Sequence, residues 1–117
     1  RMAVATSKPT FYATRIIQHF GLDTYFEMIS GSDLDGTNGK KELVVERALD
    51  ALQAEPGRTA MVGDRSYDMK GARKFGLYAV GVGYGYGDPG ELEAAGAQAI
   101  AQTVEELTEI LLGEREV

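Results

Sequence analysis

The 117-residue sequence contains no cysteine and no tryptophan, and it has a single histidine. The absence of cysteine excludes a disulfide framework, a zinc–thiolate site and a thiol nucleophile. No apolar run approaches the roughly 18 residues that a membrane-spanning helix needs. The first residues do not read as a signal peptide, because their apolar stretch is too short. These absences predict a cytoplasmic protein that does not cross or bind a membrane.

Positive charge is also scarce, since 12 Lys and Arg residues stand against 18 Asp and Glu and the formal net charge is −6. The acidic excess is concentrated in residues 88–117, which hold eight acids and one arginine. Such a chain lacks the attraction to polyphosphate that drives nucleic-acid binding, so we expect no nucleic-acid partner. A small anionic substrate stays compatible with this charge if local cations, a metal or backbone amides receive it.

Hydrophobic residues make up 44% of the chain, which is enough for a core in one domain of this length. Short β-branched runs alternate with longer helical patterns, and this alternation predicts a parallel sheet covered by helices, an α/β layer fold. The predicted strands are Met2–Thr6, Phe26–Ile29, Thr59–Val62, Leu77–Val82 and Ala97–Ala101. The predicted helices are Pro9–Phe20, Lys41–Leu52, Ser66–Phe75, one that starts at Asp88-Pro89-Gly90-Glu91 with Glu91 as its N3 acid, and one that starts at the Thr103/Glu106 capping box.

The segment Gly63-Asp64-x-x-x-Asp68 follows an apolar strand, at the sheet edge where α/β folds bind ligands. Asp68 comes about one helical turn after Asp64, so both carboxylates can face one point. Hard oxygen ligands of this kind suit Mg²⁺. A purely structural alternative is equally open, in which Asp64 caps the helix and Asp68 complements its dipole.

Two other segments follow strands or open helices. A hydroxyl and free amides at Thr6-Ser7-Lys8-Pro9 are typical of a site for phosphoryl oxygens, although an ordinary helix cap explains this segment as well. Lys40 and Lys41 precede a helix, where a lysine can reach the same sheet edge or simply be solvated. The glycine-rich segment 81–87 lacks dinucleotide-binding spacing, and we interpret it as a tight loop that lets Tyr84 or Tyr86 line the site.

Taken in chain order, these segments form a set that is far more specific than any one of them. The set resembles the haloacid dehalogenase-like (HAD) hydrolase superfamily, particularly its phosphoglycolate-phosphatase-like branch. The resemblance covers essentially the whole chain and is carried by AVATSKP, HFGLDTYFEMISGSDLDG, MVGDRSYDMKGARKFGL, GVGYGYG and ELEAAGAQAIAQTVEEL. It implies a three-layer Rossmann-like sheet with helices on both faces. It also implies a Mg²⁺-dependent phosphatase that acts on a small phosphorylated metabolite through an aspartyl-phosphate.

The resemblance also implies a role for each matching residue. It makes Thr6 and the Ser7 amide phosphate-binding, Lys40 the charge-balancing lysine with Lys41 as the fallback, Asp64 the metal-binding acid and Asp68 the acid that supports it.

One family feature has no counterpart in this sequence. Family members begin with a strand that ends in Asp-x-Asp-Gly-Thr, whose first Asp is the nucleophile and whose second is the general acid/base. We therefore expect residues 1–117 to be the C-terminal portion of a HAD-like core domain, without the first strand and the cap domain. In the family sheet order 3-2-1-4-5, the absent strand lies between Met2–Thr6 and Thr59–Val62. We expect the missing segment or a second chain to complete the sheet, and the 117 residues alone to be inactive.

Asp33-Leu34-Asp35-Gly36-Thr37 matches the nucleophile motif letter for letter. Its position argues against that role, because Gly31-Ser32 interrupts any apolar strand before it and because it follows the Thr6 segment instead of preceding it. The phosphoglycolate-phosphatase-like branch itself carries a similar GSDLDG stretch at this later position. We therefore predict a surface loop without a metal.

Two other functions stay open at the level of sequence. Doubly wound sheets host many activities, and receiver-like signalling domains also place acids and a lysine at strand ends. A non-catalytic binding module and an inactive fragment are therefore the alternatives to the phosphatase. The substrate itself is not predicted, because the cap domain supplies specificity in the family.

Overall fold

The computed structural model describes residues 1–84 and 89–113. It divides the chain into two compact units, Arg1–Glu55 and Pro56–Val117. Each unit contains parallel strands with helices packed on them, so the predicted α/β fold class is confirmed. Within the described ranges, no helix is both long enough and apolar enough to span a bilayer.

The first unit contains two parallel strands and two helices. Its elements are β1 (Val4–Pro9), α1 (Thr10–His19), β2 (Ile29–Ser32) and α2 (Lys41–Leu52). Both helices pack on both strands, and the buried apolar side chains are those of Ala13, Val44, Val45 and Ala48.

The structure places β2 three residues later than the predicted Phe26–Ile29. Its buried positions are Ser30, Gly31 and Ser32, a sequence with no apolar signal. The Ser30 hydroxyl is compatible with burial because it donates to the Val44 carbonyl oxygen at 2.7 Å. Gly31 is required by close packing, since a Cβ there would lie 2.7 Å from the Thr10 amide nitrogen at the start of α1. Small residues buried against backbone therefore form this strand.

The second unit contains three parallel strands in the order β3-β4-β5. Its elements are β3 (Ala60–Gly63), α3 (Ser66–Lys74), β4 (Tyr78–Val82), α4 (Pro89–Ala94), β5 (Ala99–Ala101) and α5 (Val104–Leu112). The pairing is regular from Ala60↔Tyr78 to Gly63↔Gly81. The buried apolar side chains of this unit are those of Met69, Ala72, Leu77, Ala79, Val80, Leu92 and Ala101.

The helices are where the sequence predicts them, but parts of two predicted apolar faces are exposed. In α1, Ile16 is 44% exposed and the adjoining Phe20 is 68% exposed; in α5, Val104 is 61% exposed. Helical periodicity identifies an apolar face without identifying what covers it. Half of the predicted capping box of α5 is present, since Thr103 Oγ1 accepts the Glu106 N–H at 3.1 Å, whereas the Glu106 carboxylate accepts the N–H of Gln102 and not that of Thr103.

Candidate active site

Thr6 and Ser7, the residues predicted to bind phosphate, lie at a bulge in β1. Ala5 pairs with Ser30 and Pro9 with Ser32, so three residues, 6–8, stand opposite the single residue Gly31. Extra residues of this kind disrupt the ladder and redirect side chains, and they are frequent beside active sites. The Thr6 hydroxyl accepts the Lys8 N–H at 3.1 Å, which keeps its own hydrogen available to donate.

Lys41 is the lysine that reaches this bulge. Its ammonium donates to the Ala5 carbonyl oxygen at 2.9 Å, next to Thr6 in the chain. Lys40 is the exposed N-cap residue of α2. The sequence names Lys40 first and Lys41 as the fallback; Lys41 is the one whose ammonium reaches the bulge, and the active-site role of either lysine stays a prediction. Lys41 lies inside the first turn of α2, so its side chain projects over the strand. Lys40 is the N-cap residue with extended backbone, so it lies outside the helix.

The turn between β2 and α2 packs tightly against the bulge. A Cβ at Gly39 would lie 3.1 Å from the Ser7 carbonyl oxygen and 2.8 Å from the Ser32 Cβ. A side chain at this position would therefore push the turn away from Ser7. The Ser7 side chain itself is exposed.

The Asp33–Thr37 segment is a self-contained exposed turn, as predicted. The Asp33 N–H donates to the Thr37 carbonyl at 2.8 Å, and the Gly36 N–H donates to the Asp33 carbonyl at 2.8 Å. The Thr37 hydroxyl lies 2.8 Å from Asp35 Oδ1 and 3.1 Å from Asp33 Oδ2. The Thr37 backbone N–H and hydroxyl lower the pKa of Asp35 below its ordinary value. The Asp33 and Asp35 carboxylates thus accept hydrogen bonds from within their own turn.

In the second unit, Asp64 and Asp68 lie together at the end of β3. Asp64 follows the strand directly and is half-buried, and Asp68 is the third residue of α3 and only 6% exposed. Asp68 Oδ2 accepts the N–H of Asp64 at 3.2 Å and that of Arg65 at 3.3 Å. A carboxylate here also complements the helix dipole. Asp68 therefore shapes the loop that carries Asp64.

Gly63 is the residue that lets Asp68 occupy this position. A Cβ on Gly63 would overlap the Asp68 side chain. The Gly-Asp-x-x-x-Asp spacing thus has a steric cause. Only a glycine at position 63 leaves room for the Asp68 carboxylate to fold back onto the loop.

Sequence reasoning missed the role of Glu91 in α4. The sequence predicts only that Glu91 lies in the first turn of its own helix, but Glu91 Oε1 accepts the Ser66 N–H at 2.8 Å and the Arg65 Nε–H at 3.0 Å. These bonds lower the pKa of Glu91, first through the Ser66 amide and then through Arg65, and the Glu91 bond raises the pKa of Arg65. No local pattern signals a contact across 25 residues.

Each unit therefore brings its own predicted residues together: Thr6 and Ser7 with Lys41 in one, and Asp64 with Asp68 in the other. The convergence of the two groups into one site stays a prediction. Gly83 and Tyr84 follow β4, and Tyr84 is exposed. Tyr86, the other tyrosine predicted to line the site, lies outside the described residues.

Comparisons with known proteins assign the family. The family model described as haloacid dehalogenase-like hydrolase matches residues 1–82, and the chain belongs to this family. The crystal structure of a predicted phosphatase from Clostridium acetobutylicum is similar, with a TM-score of 0.91 and 44% identity over 96% of this chain and 52% of that one.

Curated relatives carry several enzyme names. The chain is 44% identical to a 5'-nucleotidase of Pseudomonas aeruginosa over 78% of its length. It is 43% identical to the tyrosine-protein kinase PtkA of Mycobacterium tuberculosis over 95% of its length. The chain covers 41% and 39% of these two relatives, so it spans less than half of their length. Phosphoglycolate phosphatases from three bacteria are 26–30% identical to it, in agreement with the predicted branch.

Proposed function

We propose that this chain is the C-terminal portion of the core domain of a Mg²⁺-dependent phosphomonoesterase that hydrolyses a small phosphorylated metabolite. One observation carries the proposal: the Lys41 ammonium lies at the Ala5 carbonyl, beside the Thr6–Lys8 bulge. A cation, a hydroxyl and backbone amides gathered at a strand end are the groups that bind phosphoryl oxygens. Membership of a hydrolase family supports a phosphate-binding role for these groups.

The phosphate-binding role falls to Thr6, Ser7 and Lys41. The Thr6 hydroxyl and the Ser7 amide donate to phosphoryl oxygens, and the Lys41 charge offsets the negative charge that gathers on those oxygens during transfer. Lys40 is solvated in this proposal, because it caps α2 on its exposed side.

Asp64 is the residue that we assign to the metal. Within residues 1–84 and 89–113, no three His, Cys, Asp or Glu side chains form a group that holds a metal ion. A single carboxylate such as that of Asp64 is compatible with Mg²⁺, which is commonly held by one or two carboxylates together with substrate phosphate and water. When bound, Mg²⁺ neutralises charge on the phosphoryl group. Asp68 orients Asp64 by holding the amides of residues 64 and 65.

The attacking aspartate is assigned to a segment outside these 117 residues. Asp33 and Asp35 are unsuitable because they are exposed and bind their own turn. β1 and β3 are each an edge strand of their sheet, and an edge can accept another strand through its backbone. We place the aspartate at the end of such a strand. Its carboxylate attacks phosphorus in line, the alcohol leaves, and water then hydrolyses the aspartyl-phosphate.

The proposal is tested on the complete enzyme with a panel of small phosphate monoesters. Asp64→Asn is expected to abolish Mg²⁺-dependent phosphate release, and Asp33→Asn, the matched control in the exposed turn, is expected to retain it. Equal loss in both variants contradicts the assignment of the site. Absence of hydrolysis with any ester, or transfer of phosphate from ATP to peptide tyrosine in its place, contradicts the proposed reaction and favours a binding or kinase function.

A further inference from the structure

Glu91 connects α4 to the loop that carries Asp64. We define the Asp64 loop as residues 63–66. Glu91 Oε1 accepts the backbone N–H of Ser66 at 2.8 Å and the Nε–H of Arg65 at 3.0 Å. Glu91 is half-buried where α4 packs on α3. One carboxylate oxygen therefore holds both the backbone and a side chain of this loop.

Two carboxylates from different helices divide the amides of the Asp64 loop between them. Asp68 takes the N–H groups of Asp64 and Arg65, and Glu91 takes that of Ser66. These N–H groups lie just before and at the start of α3, where a helix offers its amides no acceptor of its own. The path of the backbone on both sides of Asp64 is thus set by charge-assisted hydrogen bonds, which are stronger than neutral ones.

Glu91 also balances a positive charge beside Asp64. The Arg65 guanidinium lies 5.7 Å from the centroid of the Tyr67 ring while its Nε–H bonds Glu91. An uncompensated cation on the residue next to Asp64 opposes the arrival of a divalent metal ion, because like charges repel. The Glu91 carboxylate cancels that charge.

We infer that Glu91 is a positioning residue for metal binding at Asp64: it fixes the Asp64 loop through Ser66 and neutralises Arg65. The inference rests on the proposed function, since it concerns the Mg²⁺ site assigned there. It gives a role to a residue 27 positions away from the metal ligand, on a different helix. Residues that orient metal ligands without touching the metal commonly change affinity by about 10–100-fold when they are replaced.

The test is the Mg²⁺ dissociation constant of the complete enzyme, measured calorimetrically without substrate. Glu91→Ala is expected to weaken Mg²⁺ binding by about tenfold or more. Glu91→Gln is expected to have a smaller effect, because its amide oxygen still accepts the Ser66 N–H but leaves Arg65 uncompensated. The matched control is Glu93→Ala, an exposed acid on the same helix, and it is expected to bind Mg²⁺ within about twofold of the wild type.

A second variant separates the two contributions. Adding Arg65→Gln to Glu91→Gln removes the uncompensated cation, so part of the lost affinity is expected to return. If Glu91→Ala does not fold, the near-isosteric Glu91→Gln is compared with the Glu91→Gln/Arg65→Gln double variant. The difference between their Mg²⁺ dissociation constants then provides the same test.

Thermal melting of the metal-free variants distinguishes positioning from general stabilisation. Glu91 variants that melt lower but bind Mg²⁺ like the wild type overturn the inference and leave Glu91 a structural residue. A wild-type enzyme that binds no Mg²⁺ refutes the metal site of the proposed function instead. Weakened binding in both Glu91 variants, with partial recovery on removal of Arg65, supports the inference.

Discussion

Replacement of Gly63 by alanine tests the central contact of the Asp64 loop. At an ordinary strand position this change stabilises a protein by about 0.5–1 kcal/mol, because glycine loses more backbone freedom on folding. Here the added methyl would overlap the Asp68 side chain. We therefore expect the opposite sign.

The expected cost has two parts. Forcing an extra methyl into a packed position costs about 1–3 kcal/mol. Displacing Asp68 removes the acceptor of the half-buried Asp64 and Arg65 amides, and donors left without a partner add a cost of up to about 1–3 kcal/mol. The sum, about 2–6 kcal/mol, is a large fraction of the 5–15 kcal/mol or so that typically stabilises a domain.

Chemical denaturation of the complete protein measures this cost. The matched control is Gly57→Ala, where no atom lies within 4 Å of the added methyl and a change within about 0.5 kcal/mol is expected. Gly63→Ala is then repeated in an Asp68→Gly background, which removes the overlapping side chain. The methyl is expected to cost less there, with a coupling of about 0.5–3 kcal/mol between the two sites. Strictly additive effects, or a stabilising Gly63→Ala, would refute the steric explanation.

Three further predictions concern the lysine pair, the exposed turn and the last helix. Lys41→Met is expected to lower kcat of the complete enzyme by about 10²-fold or more, whereas Lys40→Met leaves kcat within about threefold; the reverse order in steady-state assays would assign the role to Lys40. Asp35 is expected to titrate below its ordinary pKa of 3.8 in NMR, and Thr37→Val, which lacks the hydroxyl donor, is expected to raise that pKa. Because the folded pKa is depressed, this turn stabilises the protein above pH 3.8 or so and the contribution disappears as the pH falls through the Asp35 pKa; an unchanged pKa in Thr37→Val contradicts the bond. Thr103→Ala removes the cap of α5 and is expected to cost about 1 kcal/mol in thermal or chemical unfolding, and no change in stability would exclude the cap as a stabilising contact.

Features that depend on neighbours in the chain were predictable. The limits of α2, Lys41–Leu52, agree with the structure because apolar spacing and helix-forming residues act over a few positions. The Thr103 cap is a similar case, since its hydrogen bond closes within three residues. The same locality explains why the Asp33–Thr37 motif was correctly predicted to be a surface turn.

Features that depend on packing between distant segments were not predictable from the sequence. β2 was placed too early because Ser30, Gly31 and Ser32 are buried against other backbone, and small residues carry no hydrophobic period. The choice between Lys40 and Lys41 depends on which side chain crosses to Ala5, 36 residues earlier in the chain. Glu91 reaches Ser66 only because α4 packs on α3. Hydrophobic period and capping rules describe one element at a time, whereas these contacts exist only after folding has brought separate elements within hydrogen-bond distance.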